Sequence, residues 1–97
     1  MGKSTQAIII NEKDNVATAL RELKAGLQVS VEIQGCTQKI TLLSDIPMGH
    51  KFALKDMEEG EAVIKYGEPI GQSTVKITRG EHVHVQNVAS QQRVTQR

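Results

Sequence analysis

The apolar residues of the chain fall into short runs, and glycines or polar residues separate most of these runs. Residues 7–10 are apolar and mainly β-branched, which predicts a short strand buried on both faces. Residues 28–33 and 38–42 alternate apolar and polar side chains, as half-buried strands do. Gln34-Gly35 lies between them and predicts a hairpin. These patterns favour a chain of short β-strands.

One segment near the N-terminus has the spacing of a helix. Asp14 is a suitable N-cap, and Gly26 is a suitable C-cap. Between them the apolar residues recur at helical intervals, at Val16, Ala17, Leu20 and Leu23. The pattern predicts one short helix over residues 14–25, and we expect no second one.

A spacing centred on glycine recurs four times. In each copy, an apolar residue, two spacers, a glycine and two more spacers precede another apolar residue. The first apolar residue would anchor a turn, the glycine would adopt a backbone conformation that is costly for other residues, and a strand would follow. The intervals between the glycines are uneven, which indicates a recurring turn and not a solenoid repeat. The copies are Leu23-Gly26-Val29, Ile46-Gly49-Phe52, Met57-Gly60-Val63 and Ile77-Gly80-Val83.

Composition limits the size of the fold and its partners. The 97 residues predict one domain, with its core over about residues 7–88 and a polar tail over residues 89–97. Phe52 and Tyr66 are the only phenylalanine and tyrosine, so aliphatic side chains must fill the core. Twelve basic and eleven acidic residues leave a formal net charge of +1 without a basic block, which argues against nucleic acid as a partner.

The location of the protein is also predicted from the sequence. Cys36 is the single cysteine, which fits a reducing compartment. Residues 1–6 lack the apolar core of a signal peptide, and no segment approaches the roughly 20 apolar residues of a membrane-spanning helix. We therefore expect a cytoplasmic protein that does not associate with a membrane.

The three histidines of the chain are the main candidates for chemistry. His82 and His84 are two residues apart on a predicted strand, so their side chains should project from the same face. Val83 and Val85 should face the other way. If His50, which follows a turn glycine, folds back beside them, the three form an imidazole cluster. Imidazole is a common metal ligand and is well suited to proton transfer near neutral pH.

Each candidate residue also has a purely structural interpretation. His82 and His84 could form the solvent face of a strand, and His50 could satisfy a backbone carbonyl. Lys65 and Tyr66 could bind a carboxylate, although Tyr66 could instead pack on the core from a strand end.

The remaining polar candidates are less specific. Asn87 could orient His84 or a ligand, or it could simply end a strand. Glu61 and Glu81 are interpreted as solvated, residues 56–59 as a solvated turn, and Cys36 as a reduced residue without a role.

Three segments together resemble the N-terminal domain of the altronate and galactarate dehydratases. The resemblance covers about residues 7–88 and implies a small, mainly β domain with the β-clip fold of the antifreeze-like SAF group. The segments are Gly49-His50-Lys51-Phe52-Ala53-Leu54, then Gly60-Glu61-Ala62-Val63-Ile64-Lys65-Tyr66-Gly67 with Ile70-Gly71, and Gly80-Glu81-His82-Val83-His84-Val85-Gln86-Asn87.

The resemblance also implies an activity and a partner. A large catalytic domain follows in those dehydratases, whereas this sequence stops, which implies a free-standing small subunit similar to that of the sulfolactate sulfo-lyases. It would act with a separate large subunit to eliminate water or sulfite from a 2-hydroxy acid. A divalent metal of the iron or manganese class would be held mainly by the large subunit. The implied catalytic residues are His50, His82 and His84, and the implied substrate-binding residues are Lys65, Tyr66 and Asn87.

Two other classes of function fit the sequence. β-Clip domains also serve as non-catalytic modules for ligand binding or assembly, and the histidines alone would suit a metal-binding protein. A domain of this size that is separated from its partner could also expose an apolar patch and form homo-oligomers.

Overall fold

The structure is a computed structural model that describes residues 6–33 and 35–90. It contains nine short strands in three antiparallel sheets, and the described ranges contain no helix. The prediction of a mainly β fold is therefore confirmed. The strands are β1 (Ala7–Ile8), β2 (Val16–Ala19), β3 (Gln28–Ile33), β4 (Cys36–Thr41), β5 (Lys51–Ala53), β6 (Ala62–Lys65), β7 (Glu68–Ser73), β8 (His82–Val83) and β9 (Val88–Ser90).

The sheets have the orders β1-β2-β5-β8, β3-β4 and β6-β7-β9. The predicted hairpin is confirmed, because β3 and β4 pair from Gln28↔Thr41 to Ile33↔Cys36. No helix among the described residues is long and apolar enough to cross a membrane.

The helix predicted over residues 14–25 is wrong. The segment contains β2, which lies in the four-stranded sheet between β1 and β5. Val16, Ala17 and Ala19 are all buried, so both faces of this strand are covered. A strand that is apolar on both faces has no period-2 alternation, and over so few residues its apolar positions also fit helical spacing.

Asp14 and Asn15 have roles other than helix capping. The Asp14 carboxylate accepts hydrogen bonds from the backbone N–H groups of Asn11 at 3.0 Å and Gly67 at 2.8 Å. The Asn15 side chain accepts from Ile64 N at 2.8 Å and donates to Ala62 O at 3.0 Å. These bonds join the start of β2 to the β6–β7 hairpin.

The strand predicted at residues 7–10 is shorter and less buried than expected. β1 covers only Ala7–Ile8 and lies at an edge of its sheet. Ala7 is buried, but Ile8 and Ile10 are 36% and 45% exposed. The expectation of burial on both faces is therefore wrong for this segment.

The recurring glycine turn is confirmed in all four copies. The four glycines have φ values between 85° and 90°. The apolar anchors pair two by two, Leu23 with Ile46 and Met57 with Ile77, through reciprocal backbone hydrogen bonds of 2.7–2.9 Å. Every anchor is at most 1% exposed, and β3, β5, β6 and β8 each begin two residues after a motif glycine.

Acidic side chains complete these turns. Asp45 accepts a hydrogen bond from Ala25 N at 2.9 Å, and Asp56 accepts one from Arg79 N at 2.8 Å, at equivalent places in the two pairs of turns. Asp56 therefore caps a distant turn, although residues 56–59 were interpreted as a solvated turn.

The glutamates of the third and fourth copies act within their own turns. Glu61 accepts from Glu58 N at 3.0 Å, and Glu81 accepts from Thr78 N at 2.8 Å. These partly exposed carboxylates therefore have a role that the prediction of solvated glutamates did not include, because each satisfies a backbone donor.

The core has two parts, and β5 contributes to both of them. Phe52 and Leu54 pack in the first cluster with residues from β1 to β4, whereas Ala53 packs in the second with residues of β6 and β8. Phe52 and Ala53 are fully buried. β5 therefore connects the two halves of the core, and its first residue directly follows His50.

The last described strand crosses the predicted end of the core. Val88–Ser90 form β9, which pairs with β7 from Gly71↔Ser90 to Ser73↔Val88. Gly71 allows this close approach, because an added Cβ would lie 2.5 Å from Ala89 O. β9 thus extends two residues beyond the core boundary predicted at residue 88, and residues 91–97 of the predicted tail lie outside the described residues.

Candidate functional site

The pairing of β5 with β8 brings the three histidines together. In this antiparallel pair, Phe52 lies opposite His82 and Lys51 lies opposite Val83. If this register is continued by one residue, His50 comes opposite His84. Residues on directly opposite and diagonal positions of paired strands are within side-chain reach. The register of one strand pair therefore creates the site.

The three imidazoles form a stacked cluster. The ring centroids are 4.1 Å apart for His50 and His84, 5.1 Å for His50 and His82, and 5.5 Å for His82 and His84. The ring planes are inclined by 13–17° to one another. His50 Nδ1 and His82 Nε2 are 2.9 Å apart, a hydrogen-bond distance. One nitrogen from each ring can be chosen so that all three lie within 4.8 Å of one another.

The turn motif explains why the His50 side chain is available. In the third and fourth copies, the residue after the glycine is Glu61 or Glu81, and it accepts a backbone N–H from its own turn. His50 takes this position in the second copy, where the corresponding donor would be Pro47. Proline has no N–H, so this turn has no backbone donor there for a side chain to satisfy. The His50 ring instead contacts His82, in contrast to the interpretation that it satisfies a backbone carbonyl.

Asn87 fixes the backbone that carries the other two histidines. Its side chain is 3% exposed, accepts from His84 N at 3.0 Å and donates to His82 O at 2.8 Å. Of the alternatives that the sequence left open for Asn87, these bonds match the one in which it orients His84. Val85 is 80% exposed and does not share the burial of Val83, because β8 ends at Val83 and the chain turns.

The surroundings of the cluster favour neutral imidazoles. Burial lowers the pKa of His82, and the positive charges of His50, His84 and Lys51 lower it further. The pKa of His84 is also lowered, first by desolvation and then by His50 and Lys51. An unprotonated imidazole has a free lone pair. These histidines can therefore accept a proton or bind a metal near neutral pH.

Lys51 is a candidate site residue that the sequence analysis missed. It is half-buried, and its pKa is lowered first by burial and then by the charge of Lys65. Within the described residues, no carboxylate lies at salt-bridge distance from Lys51. Its position in the sequence was no signal, because a residue directly after His50 in a strand projects from the opposite face, as the pairing of Lys51 with Val83 shows. A half-buried lysine without an acidic partner is suited to bind an anion.

Lys65 is close enough to Lys51 for its charge to lower the pKa of that amine, and Tyr66 follows Lys65 in the chain. Lys65 Nζ lies 4.7 Å from the centroid of the Tyr66 ring, a cation–π distance. Tyr66 is 58% exposed and has a positive φ of 59° in the tight turn between β6 and β7. The interpretation that Tyr66 packs on the core is therefore wrong. Among residues 6–33 and 35–90, no hydrogen bond or ring contact joins Tyr66 to the imidazoles.

Comparison with known proteins gives one family and several relatives. The family described as the altronate/galactarate dehydratase SAF domain matches residues 5–91. Altronate dehydratase of Escherichia coli (strain K12) is 49% identical over 82 residues, which are 84% of this chain and 16% of that protein. The (2R)-sulfolactate sulfo-lyase subunit alpha of Chromohalobacter salexigens is 47% identical over 55 residues, which are 57% of this chain and 58% of that protein.

A third relative is also a sugar-acid dehydratase by name. Galactarate dehydratase (L-threo-forming) of E. coli is 35% identical over 78 residues, which are 78% of this chain and 14% of that protein. The chain therefore spans only a small fraction of the two dehydratases and a little over half of the sulfo-lyase subunit. These matches confirm the resemblance noted from the sequence.

Proposed function

Because the chain belongs to the altronate/galactarate dehydratase SAF domain family, we propose that it is the small subunit of a lyase that eliminates water or sulfite from a 2-hydroxy acid. A separate large catalytic subunit completes the active site, and the enzyme works in the cytoplasm. The observation that carries this proposal is the convergence of His50, His82 and His84 at the paired ends of β5 and β8. The similarity to a protein that is named as a subunit supports the separate partner.

The reaction needs a base and a way to hold negative charge. A base removes the proton from the carbon that bears the carboxylate and the 2-hydroxyl group. The electron pair forms a carbon–carbon double bond while the bond from the next carbon to oxygen or sulfur breaks. The leaving group departs as sulfite, or as hydroxide that takes up a proton to become water. The enol product then rearranges to a 2-oxo acid.

The residues of this chain can share these tasks. His82 and His84 have lowered pKa values, so they are neutral and able to accept the proton. Lys51, whose charge reaches both of these rings, can bind the substrate carboxylate, and Lys65 adds a second positive charge. In this proposal, Tyr66 lies at the outer edge of the substrate site, and Asn87 holds the histidine backbone in place.

The three imidazoles also fit the divalent metal that the family resemblance implies. Nitrogen ligands about 2.1 Å from one ion are at most about 4.2 Å apart, so nitrogens within 4.8 Å of one another are near the required spacing, although the stacked rings must turn before their lone pairs can share an ion. His50, His82 and His84 would hold the ion together with groups from the large subunit. When bound, such an ion stabilises the negative charge that develops on the substrate carboxylate.

Reconstitution tests the proposal. Elimination from 2-hydroxy sugar acids and from sulfolactate is measured with this chain alone, with the large dehydratase-like subunit alone, and with the mixture. We expect activity only in the mixture, and we expect single changes of His50, His82 or His84 to alanine to lower turnover by about 10- to 1,000-fold. Full activity of the large subunit alone would refute the small-subunit role. Full activity of the triple alanine variant in the mixture would refute the site.

A further inference from the structure

We propose that this chain, by itself, binds one divalent transition-metal ion through His50, His82 and His84, and that Gln86 holds His82 in the tautomer of the metal-free state. The inference deepens the proposed function by naming the ligand class of its site, but metal binding can be measured without any lyase activity.

The donor set determines the class of metal. The sequence contains three histidines, and all three are in the cluster. No other group of three histidine, cysteine or acidic side chains with this spacing occurs among the described residues. Imidazole nitrogen favours ions such as Zn²⁺, Fe²⁺, Co²⁺ and Ni²⁺, whereas Mg²⁺ and Ca²⁺ favour oxygen ligands. The cluster should therefore bind the transition-metal ions and not Mg²⁺ or Ca²⁺.

In the metal-free structure, the three rings are not oriented to bind one ion. The three ring planes are nearly parallel, so their nitrogen lone pairs do not point at a common centre. His50 Nδ1 and His82 Nε2 also face each other at 2.9 Å, which occupies one nitrogen on each ring. An ion must therefore break this hydrogen bond and rotate at least one ring.

Gln86 determines which nitrogen of His82 carries the proton. Its amide nitrogen lies 3.3 Å from His82 Nδ1 and 3.4 Å from His82 O, and it donates toward both. His82 Nδ1 is then an acceptor, so the proton is on Nε2 and is donated to His50 Nδ1. Binding a metal through His82 Nε2 requires the opposite tautomer. The amide nitrogen of Gln86 cannot accept the proton that would then be on Nδ1, so the amide must turn its oxygen toward Nδ1 and give up the bond to His82 O.

This conflict gives a specific test variant. A carboxylate at position 86 would accept the Nδ1 proton of His82, as carboxylates commonly do for metal-bound histidines. Gln86→Glu should therefore favour the tautomer that binds metal through Nε2. Because Gln86 is exposed, the substitution should leave the core unchanged.

The experiment is a titration of the full chain near neutral pH with Co²⁺ and Zn²⁺, and with Mg²⁺ and Ca²⁺ as controls. Calorimetry gives the affinity and the stoichiometry, and the visible absorption of Co²⁺ reports nitrogen ligation. We expect one Co²⁺ or Zn²⁺ per chain and no binding of Mg²⁺ or Ca²⁺. Each single His→Ala change should weaken binding by about tenfold or more, and Gln86→Glu should tighten it by about tenfold. Cys36→Ser is the control for binding to the exposed thiol and should leave the affinity unchanged.

Several results would overturn the inference in whole or in part. The metal site would be refuted if the wild-type chain did not bind Co²⁺ or Zn²⁺ at about millimolar concentration. Unchanged binding in the triple alanine variant would refute it as well. Equal affinities of the wild type and Gln86→Glu would remove the role of Gln86. Circular dichroism spectra must show that each variant is folded. Metal binding without lyase activity in the reconstituted mixture would refute the proposed function alone, and activity without metal binding by this chain would refute this inference alone.

Discussion

Replacing Gly80 with alanine should destabilise the protein much more than the same change at Gly60. Both glycines take the same position in the turn motif and have nearly equal φ values, 89° and 86°. Alanine in this left-handed conformation costs about 1–2 kcal/mol, and the smaller entropy of the unfolded chain offsets about 0.4–1 kcal/mol of that. At Gly60, where an added Cβ has no atom within 4 Å, we expect a net loss of about 1 kcal/mol.

The surroundings of Gly80 add a steric term. A Cβ there would overlap the carbonyl oxygen of Thr41 and lie 3.5 Å from Leu42 Cα. The turn cannot easily move away, because Gly80 N donates to Ala53 O and Gly80 O accepts from Leu43 N, both at 2.9 Å. Overpacking of this kind costs about 1–3 kcal/mol, so the total loss should be about 2–4 kcal/mol.

Urea denaturation followed by circular dichroism measures both variants against the wild type. For a domain of this size, 1 kcal/mol corresponds to about 4–8 °C in melting temperature, so thermal unfolding provides a second measurement. Losses that agree within about 0.5 kcal/mol would refute the steric argument, since the two sites differ mainly in the contact with Thr41. Because Gly80 directly precedes the segment with His82 and His84, its variant should also bind Co²⁺ more weakly, whereas the Gly60 variant should not.

Three further predictions concern the histidines, Tyr66 and Asn87. The pKa values of His82 and His84 are lowered in the folded protein, so the folded state binds fewer protons than the unfolded state as the pH falls through the ordinary histidine range near 6.5. Stability should therefore fall on acidification through that range and should not depend on these groups above it; urea midpoints that stay constant across it would contradict this. Tyr66→Asn should raise the unfolding free energy by about 0.5 kcal/mol, because asparagine tolerates the positive φ of this turn; a lower melting temperature would show that the contact with Lys65 matters more. Asn87→Ala should cost about 1–3 kcal/mol in urea unfolding, since it leaves backbone groups of both histidines without their partner; a loss below about 0.5 kcal/mol would refute this positioning role.

The sequence was sufficient to predict the features that depend on local backbone conformation. The turn glycines, their anchors and the strands that follow depend on backbone conformations within seven residues, and all four copies form as expected. The pairing of Leu23 with Ile46 depends on contacts between distant segments, and the spacing alone does not contain it. The helix prediction failed for a similar reason, because only tertiary burial of both faces distinguishes β2 from a short helix.

The same distinction applies to the site. His82 and His84 are close in sequence, so their proximity was predictable, whereas His50 joins them only because β5 pairs with β8 in one register. Lys51 was overlooked because lysine in a strand is ordinarily solvated. Its partial burial depends on neighbouring segments that the local pattern does not identify. Glu61 and Glu81 reach the backbone N–H three residues earlier only because the glycine turn folds the chain back on itself, which the spacing does not contain.

The position of β5 in both parts of the core has a consequence for the motions of the site. The amides of Ala53 and Leu54 donate to Glu81 O at 3.0 Å and Asn15 O at 2.9 Å, which belong to different parts of the chain. Displacing either segment breaks one of these bonds, so exchange of the Ala53 amide reports opening on the side of Glu81 and exchange of the Leu54 amide reports opening on the side of Asn15. His50 lies directly before this strand. A ligand that holds the His50 ring should therefore slow hydrogen exchange of both the Ala53 and the Leu54 amides, even though it contacts only the residue before β5.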